Sequence, residues 1–419
     1  MSIDARTLEN NSTFNTDVCI IGAGAAGITI AKELTGKNVN VLLLESGGYD
    51  YEATTQSLYD GDNTGIPYFP LVSTRLRFFG GATGHWTGWC APLDPMDFEK
   101  RDWIAHSGWP ISYHDLEPWY RKAQAICELQ GPFDYSADYW EKQSAVFQRL
   151  PLAKDKVTTK IIQFSPPTRF GTKYRDDIIK ADNITLWTYA NVTNIETDMA
   201  ASRVTGLEVT PLNGKKISVR AKHYILACGG MENPRILLLS NKVAKQGLGN
   251  QYDLVGRYFM EHPHIDTSNI ILSKAQAMDF YHSDLQQELR FRPLLGVAKS
   301  VQQTHRIANY SAVVLPKESL DPHKPTFGFS EDPRDTLDKI EAFDQHKPKT
   351  TNDYSNYSLW GFNTRIEQVP NPDSRITLAP DKRDALGQPR INFHWQLTEQ
   401  DKKTIRMAER TIATALGAT

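Results

Sequence analysis

The stretch "DVCIIGAGAAGITIAKELTGKNVNVLLLESGG", Asp17 to Gly48, constrains the fold more than any other part of the chain. It reads as a short apolar β run, a glycine-rich turn, a helix-period segment closed by Gly36 and a second β run, hence a β-α-β unit. Gly22, Gly24 and Gly27 match G-x-G-x-x-G at the strand-to-helix junction, and Glu45 ends the second strand eighteen residues after Gly27. Gly22 makes the tight turn, Gly24 lets the backbone approach a pyrophosphate, and Gly27 lets helix and strand pack closely. The helix N-terminus supplies partial positive charge, and the Glu45 carboxylate takes ribose hydroxyls. The unit predicts an α/β fold that holds a dinucleotide.

A chain of 419 residues is too long for one ordinary core and predicts two domains or three. With 40% hydrophobic and 23% charged residues it has the composition of a soluble globular protein. A formal charge of -2 and the lack of a basic block argue against nucleic acid as a partner. The N-terminal "MSIDARTLENNSTFNT" has neither the basic nor the apolar region of a signal peptide, and no run of about eighteen apolar residues occurs. No membrane segment and a cytoplasmic location are therefore expected. Cys19, Cys90, Cys127 and Cys228 form no C-x-x-C pair and are read as reduced, buried thiols. "EHPHI" puts His262 and His264 on one side of a strand, but no third ligand is placed by motif, so no metal is expected. G-x-S-x-G is absent, and with it the local signature of a serine hydrolase.

After Glu45 a nicotinamide-binding domain would continue with further β-α units, whereas here residues 49–110 are rich in Gly, Pro, Tyr and Trp with little periodicity. Helices are predicted from Ser112, with Asp115 completing a capping box, and from Ala137 to Arg149. Strand-like runs occupy Ile184 to Thr188, Val192 to Glu196, Val204 to Val209 and Lys216 to Ala227. The last leads into "ACGGMENPRILLLS", a second glycine turn with a new helix predicted to start near Asn233-Pro234. A sheet begun by residues 17–45 and completed so much later fits a flavin-type fold with large insertions. From Gly256 to about Pro370 the chain reads as β-rich, with strands in "ANYSAVVLP" and "YSLWGFNTRIEQV" and a charged insertion from Ser319 to Asp353. Two further strands, Arg375 to Leu378 and Arg390 to Trp395, precede an amphipathic helix from Thr398.

Taken in order, "GAGAAG", "LLLESGG", "GGATGHWTGWCAPLDPMDF", "SGWPISYHDLEPWYRKA", "ACGGMENPRILLLS", "VGRYFMEHP" and "NPDSRITLAPDKRDALGQPRINFHWQLTEQD" resemble the glucose-methanol-choline (GMC) family of FAD-dependent alcohol oxidoreductases. The "GHWT" variant is similar to that of pyranose 2-oxidase and bacterial sugar and polyol dehydrogenases. The resemblance implies a Rossmann-like FAD-binding sheet with large insertions plus an α+β substrate-binding domain. Residues 15–260 would form the first, with a flavin-loop insertion at 49–110 and a helical one at 111–180, and residues 261–419 the second. It implies that Gly22, Gly24, Gly27, Glu45 and Ser46 hold the ADP part of FAD and that the backbone at Val192 lies against the adenine. Ala227, Cys228 and Gly229 would pass close to the nucleotide, with Asn233 starting the next helix. Gly80, Gly81, Ala82 and Thr83 would run alongside the pyrophosphate to the isoalloxazine, with Trp86 and Thr87 beside the ring. In pyranose 2-oxidase-like relatives the histidine of "HWT" is bonded to the flavin, so a covalent link through His85 is implied; the alternative is a hydrogen bond from His85 to a noncovalent flavin.

The implied activity is oxidation of a sugar or polyol alcohol to a carbonyl by hydride transfer to flavin N5, with O2, a quinone or a redox partner protein as acceptor. The family's catalytic histidine lies in a segment beyond the point where this sequence stops, Thr419, so no catalytic base is named and a fragment of a longer chain is expected. A non-catalytic FAD-fold protein stays open as the second reading.

Overall fold

Residues 1–145, 147–273, 279–282, 291–317, 332–335, 337–338 and 358–418 are described by the computed structural model. The runs "TFNTDVCII" and "VLLL" form strands β2 (Thr13–Ile21) and β3 (Val41–Leu44), parallel, with Val18 to Ile21 facing Val41 to Leu44. Between them lies the helix Ala25–Leu34. On one side of β3 come β7 (Ile184–Thr188) and β1 (Ser2–Asp4), both in parallel pairing. On the other side of β2 lies β10 (Ile217–Leu226), parallel, followed by antiparallel β9 (Val204–Val209) and β8 (Val192–Thr197). The sheet order is β1-β7-β3-β2-β10-β9-β8. β2 and β3 are apolar on both faces because both faces are covered. Cys19, Ile21, Leu42 and Leu44 belong to one core with Trp187, while Val18, Ile20 and Leu43 belong to another with Ile28 of the helix.

The second sheet is antiparallel, in the order β11-β14-β13-β12-β6-β5. Its strands are β11 (His264–Ile271), β14 (Leu359–Ile366), β13 (Tyr310–Pro316), β12 (Phe291–Val297), β6 (Val157–Phe164) and β5 (Trp89–Cys90). It therefore recruits strands from 89–90 and 157–164 as well as from 264–366. One face is sealed by an aromatic core in which Trp140 and Phe291 stack with centroids 4.2 Å apart, and by Ala408 and Ile412 of the helix Glu399–Gly417. A three-stranded sheet joins β15 (Arg375–Arg383), β16 (Pro389–His394) and β4 (Gly61–Asn63).

The capping box expected of Ser112 with Asp115 opens Tyr113–Ile126, and the structure adds a second, Thr398 with Asp401, at the start of Glu399–Gly417. Two helix expectations are corrected. The helix at Ala137 ends at Glu141 rather than Arg149, because the Glu141 carboxylate accepts from the Arg149 backbone N–H (2.7 Å) and Nε (2.8 Å) and turns the chain back. The helix expected from Asn233-Pro234 begins earlier and spans Gly229–Leu239. Gly229, at φ +83°, turns the chain off the strand, and Asn233 Oδ1 accepts from the Cys228 N–H (2.8 Å) to fasten that turn. Pro234 is tolerated there because it removes only one early intrahelical bond. The insertion from Ser319 to Asp353 lies almost wholly outside the described residues.

Candidate functional site

Three backbone segments converge where β2 ends. Gly22 stands at φ +100°, and a Cβ there would lie 2.7 Å from the Ala227 carbonyl oxygen. Beneath it a Cβ on Gly27 would lie 1.9 Å from the Gly22 carbonyl, so the turn and the helix touch through backbone alone. Gly24 caps the helix without any side-chain bond to the first-turn N–H groups, and the space in front of it is open to 4 Å. The "GGATG" segment is tied to this turn by Gly80 N–H donating to the Ala23 carbonyl (2.8 Å) and Phe79 N–H donating to Gly48 (2.9 Å). A Cβ on Gly81, at φ +54°, would come within 3.1 Å of the Gly24 Cα. Gly229 and Gly230, on the third segment, also face open space.

Together these segments wall a cleft of about 560 Å³ lined by Gly22, Gly24, Glu45, Ser46, Gly81, Ala82, Val192, Ala227, Cys228 and Gly229. Helix-terminal N–H groups of Ala25 and Ala26, also in the lining, offer donors and positive potential to an anion. Glu45 is buried; its carboxylate accepts from Gly47 N–H (2.8 Å) and Ala23 N–H (3.2 Å). Burial pushes its pKa up, against those bonds and the Arg77 charge. Further along, Glu232 accepts from Arg75 (2.8 Å) and pairs with Arg235 (3.3 Å) and Arg77 (3.8 Å). Burial alone would raise Glu232, but Arg235, Arg75 and Arg77 outweigh it and hold the carboxyl below its ordinary range. Arg75 and Arg77 both lie over the Tyr59 ring, at 4.1 and 4.6 Å.

Of the other residues singled out from the sequence, Gly27, Gly80, Thr83, His85, Trp86, Thr87 and Asn233 fall outside the lining of this cleft. Gly27 supports the turn, as its motif role implies. Gly80, at φ +103°, packs on Gly171, whose N would be 2.5 Å from an added Cβ. Thr83 Oγ1 donates to the Gly80 carbonyl (2.7 Å) and accepts from Phe170 N–H (3.2 Å). Trp86 Nε1 donates to the Thr168 carbonyl (2.9 Å) beside Phe170, which is a packing role. His85 is buried, and burial together with Arg169 pulls its pKa down to about 4, so its imidazole is neutral at pH 7. Thr87 is half-buried and outside the lining. Cys228 Sγ donates to the Ile21 carbonyl (3.1 Å), and burial holds the thiol well above its usual range, which removes it as a nucleophile. His264 Nε2 lies 2.5 Å from Asn363 Oδ1; among the described residues no group of three or more His, Cys, Asp or Glu is placed to hold a metal. Among the described residues no helix is long and apolar enough to cross a membrane.

Sequence reasoning missed Tyr59, Arg75, Arg77, Glu232 and Arg235, all of which line the cleft. The signal was present in "TRLRFFGG", two basic residues just ahead of the glycine pair, and in the acidic residue of "GGMENPR". Only the fold brings these together, since Arg75 and Glu232 are far apart in the chain.

The residues fit FAD: open glycine backbone for a pyrophosphate, helix N–H donors, and a buried carboxylate at the end of β3 for a ribose. A model of the family described as "FAD dependent oxidoreductase" (DAO) matches residues 17–252. The chain is 23% identical to the fructose dehydrogenase large subunit of Gluconobacter japonicus, over 98% of this chain and 85% of that one. It is also 23% identical to 2-methyl-1,2-propanediol dehydrogenase of Mycolicibacterium austroafricanum, over 93% and 78%. Among solved structures, pyridoxine 4-oxidase from Mesorbium loti superposes with a TM-score of 0.53 at 16% identity, covering 96% of this chain and 80% of that one. A formate oxidase of Aspergillus oryzae RIB40 gives 0.54 at 16% identity, covering 98% and 82%. With the family model covering more than half of the sequence, and the glycine turn, Glu45 and the "GGATG" segment meeting in one cleft, the chain belongs to the FAD-dependent oxidoreductases, in the GMC group that its motifs resemble.

Proposed function

We propose that this protein oxidises a CH–OH group of a sugar or polyol to a carbonyl. When bound, FAD supplies the hydride acceptor for that reaction. Glu45 and Ser46 take the adenosine ribose, Val192 lies along the adenine, and Gly24, Gly81 and the Ala25 and Ala26 N–H groups hold the pyrophosphate. The close approach of Gly81 to Gly24 is the observation that carries this reading, because it joins the turn expected at the ADP end to the loop expected at the flavin end. The relatives that act on fructose and on 2-methyl-1,2-propanediol support the substrate class. Residues 15–260 serve the cofactor and residues 261–419 the substrate, and the protein works in the cytoplasm, where unpaired thiols such as its four cysteines stay reduced.

His85 carries a covalent bond to the flavin. An imidazole neutral at pH 7 has the lone pair that such a bond requires, which supports the assignment. The test is reconstitution with FAD followed by anaerobic addition of a sugar or polyol panel. Loss of the yellow flavin absorbance is expected, and a flavin that binds but is reduced by none of them overturns the reading in favour of a non-catalytic FAD protein. Acid precipitation separates the two roles of His85: colour that stays with the polypeptide, and leaves it in His85→Ala, establishes the bond.

A further inference from the structure

The second sheet has two unlike faces. Phe291, Leu295 and Val297 of β12, Tyr310, Ala312 and Val314 of β13, and Trp360, Phe362 and Ile366 of β14 point into the aromatic core. By the alternation of strands, Arg292, Asn363 and Arg365 point the other way. Cross-strand register adds His264 opposite Arg365, and Phe164 opposite Trp89. The Arg365 guanidinium lies over the Trp89 ring at 4.3 Å, and that of Arg292 lies over the same ring at 5.3 Å. Two guanidinium groups thus share one indole.

The chain connects this face to the cleft at two points. The strand that carries Trp89 follows directly on the segment whose Gly81 and Ala82 line the cleft. Three residues beyond Arg365, Gln368 Oε1 accepts from the backbone N–H of Glu261 (3.0 Å), and Glu261 lines the cleft. We infer that this face recognises an anion, and that the polyol oxidised here carries a terminal carboxylate or phosphate held by Arg365 against Trp89. The inference rests on the proposed function for the reaction itself and adds the substrate's charge.

Arg365 has donors to spare. Its Nη1 donates to the Asn363 carbonyl at 3.3 Å, and its Nη2 lies 3.0 Å from His264 Nε2. The same Nε2 lies 2.5 Å from Asn363 Oδ1, while Asn363 Nδ2 donates to Asp266 Oδ1 at 2.7 Å. That bond fixes the amide with its oxygen toward His264, so Nε2 must carry the proton and cannot accept from Arg365. Among the described residues no carboxylate lies within ion-pair distance of Arg365, and Asp266 contributes only at longer range. Burial, then the neighbouring Arg292 charge, pulls the Arg365 pKa down to about 10. An incoming anion relieves that repulsion and takes a bidentate bond from a planar fork already held by stacking.

The experiment uses FAD-loaded protein and three six-carbon probes: neutral glucitol, gluconate and glucitol 6-phosphate. Each is titrated calorimetrically onto protein whose flavin has been reduced beforehand, so binding is read without turnover. At least one anionic probe should bind about tenfold or more tighter than glucitol, with an advantage that falls as salt rises. Arg365→Gln should remove that advantage, weakening the anionic probes about tenfold or more relative to glucitol. Equal binding of all three probes, or equal weakening of all three by Arg365→Gln in protein that still melts normally, overturns the inference. Anaerobic mixing with oxidised protein separates the two proposals: reduction by glucitol as readily as by the anions sinks only this one, and reduction by no sugar or polyol sinks the proposed function.

Discussion

The two large sheets bury different things, and the contrast separates what makes this chain a nucleotide binder from what merely makes it fold. The parallel sheet carries its function on backbone: glycines that approach other backbone within van der Waals contact, and a buried carboxylate, Glu232, held by three arginines. The antiparallel sheet is held on one face by interlocking aromatics and on the other displays side chains. Constraint in the first is steric and electrostatic, with almost no room for change. In the second it is volume, which neighbours can partly refill.

Matched truncations should break the comparison most sharply. Phe291→Ala removes a stacked ring from the aromatic core, and Glu232→Ala leaves Arg75 and Arg77 without their carboxylate while Arg235 keeps Asp384 (2.6 Å), so each should cost about 3–5 kcal/mol in denaturant unfolding. Equal losses of stability should have unequal consequences: at a temperature where both variants stay folded, Phe291→Ala should retain FAD and Glu232→Ala should lose most of it. Retention by both would mean that the arginine cluster does not serve the cofactor.

The pH profile offers the next largest effect. His85 has a folded pKa of about 4 against an ordinary 6.5, so the folded state favours the neutral ring. The stability tied to that neutrality is fully present above about pH 6.5 and is lost as pH falls toward 4, about 3 kcal/mol in all. Unfolding titrations of the FAD-free protein across that window should show this slope, and His85→Gln should flatten it. Glu232, with its pKa depressed, adds stability above the ordinary carboxylate range that is lost only in stronger acid. Glu45, with its pKa raised, acts in the opposite sense: its contribution is present below the ordinary value and lost as pH rises.

Smaller effects sharpen the steric side. Gly27→Ala places a methyl against the Gly22 carbonyl and should cost about 2 kcal/mol, with weaker FAD binding read by flavin fluorescence. Thr398→Ala removes the capping hydroxyl that accepts from the Asp401 N–H (3.3 Å) and should cost about 1 kcal/mol while leaving FAD affinity unchanged. A loss of affinity in Thr398→Ala would show that the helix on the second sheet is coupled to the cleft.

Local signals were readable wherever one residue's geometry decides the outcome. The β-α-β unit, the capping box at Ser112 and the strands from Ile184 to Leu226 are features of neighbouring residues, and the structure has them. The helix from Ala137 ended early because an ion pair with Arg149 intervened, and the start of the Gly229 helix shifted because Asn233 bonds backward to Cys228. Both corrections come from side-chain bonds that periodicity does not encode. The arginines at 75, 77 and 235 were passed over for a similar reason: a charged residue reads as surface until its buried partner is known.

From sequence alone came the turn at Gly22, Gly24 and Gly27 and the carboxylate at Glu45, because close backbone packing admits only glycine and the motif's spacing is set by one strand and one helix. Tertiary structure alone decided that Glu232 meets Arg75 and Arg77, that the "GGATG" loop reaches Gly24, and that Arg292 and Arg365 share Trp89. Those contacts join segments far apart in the chain, and the energy of such a meeting appears in no stretch short enough to read by pattern.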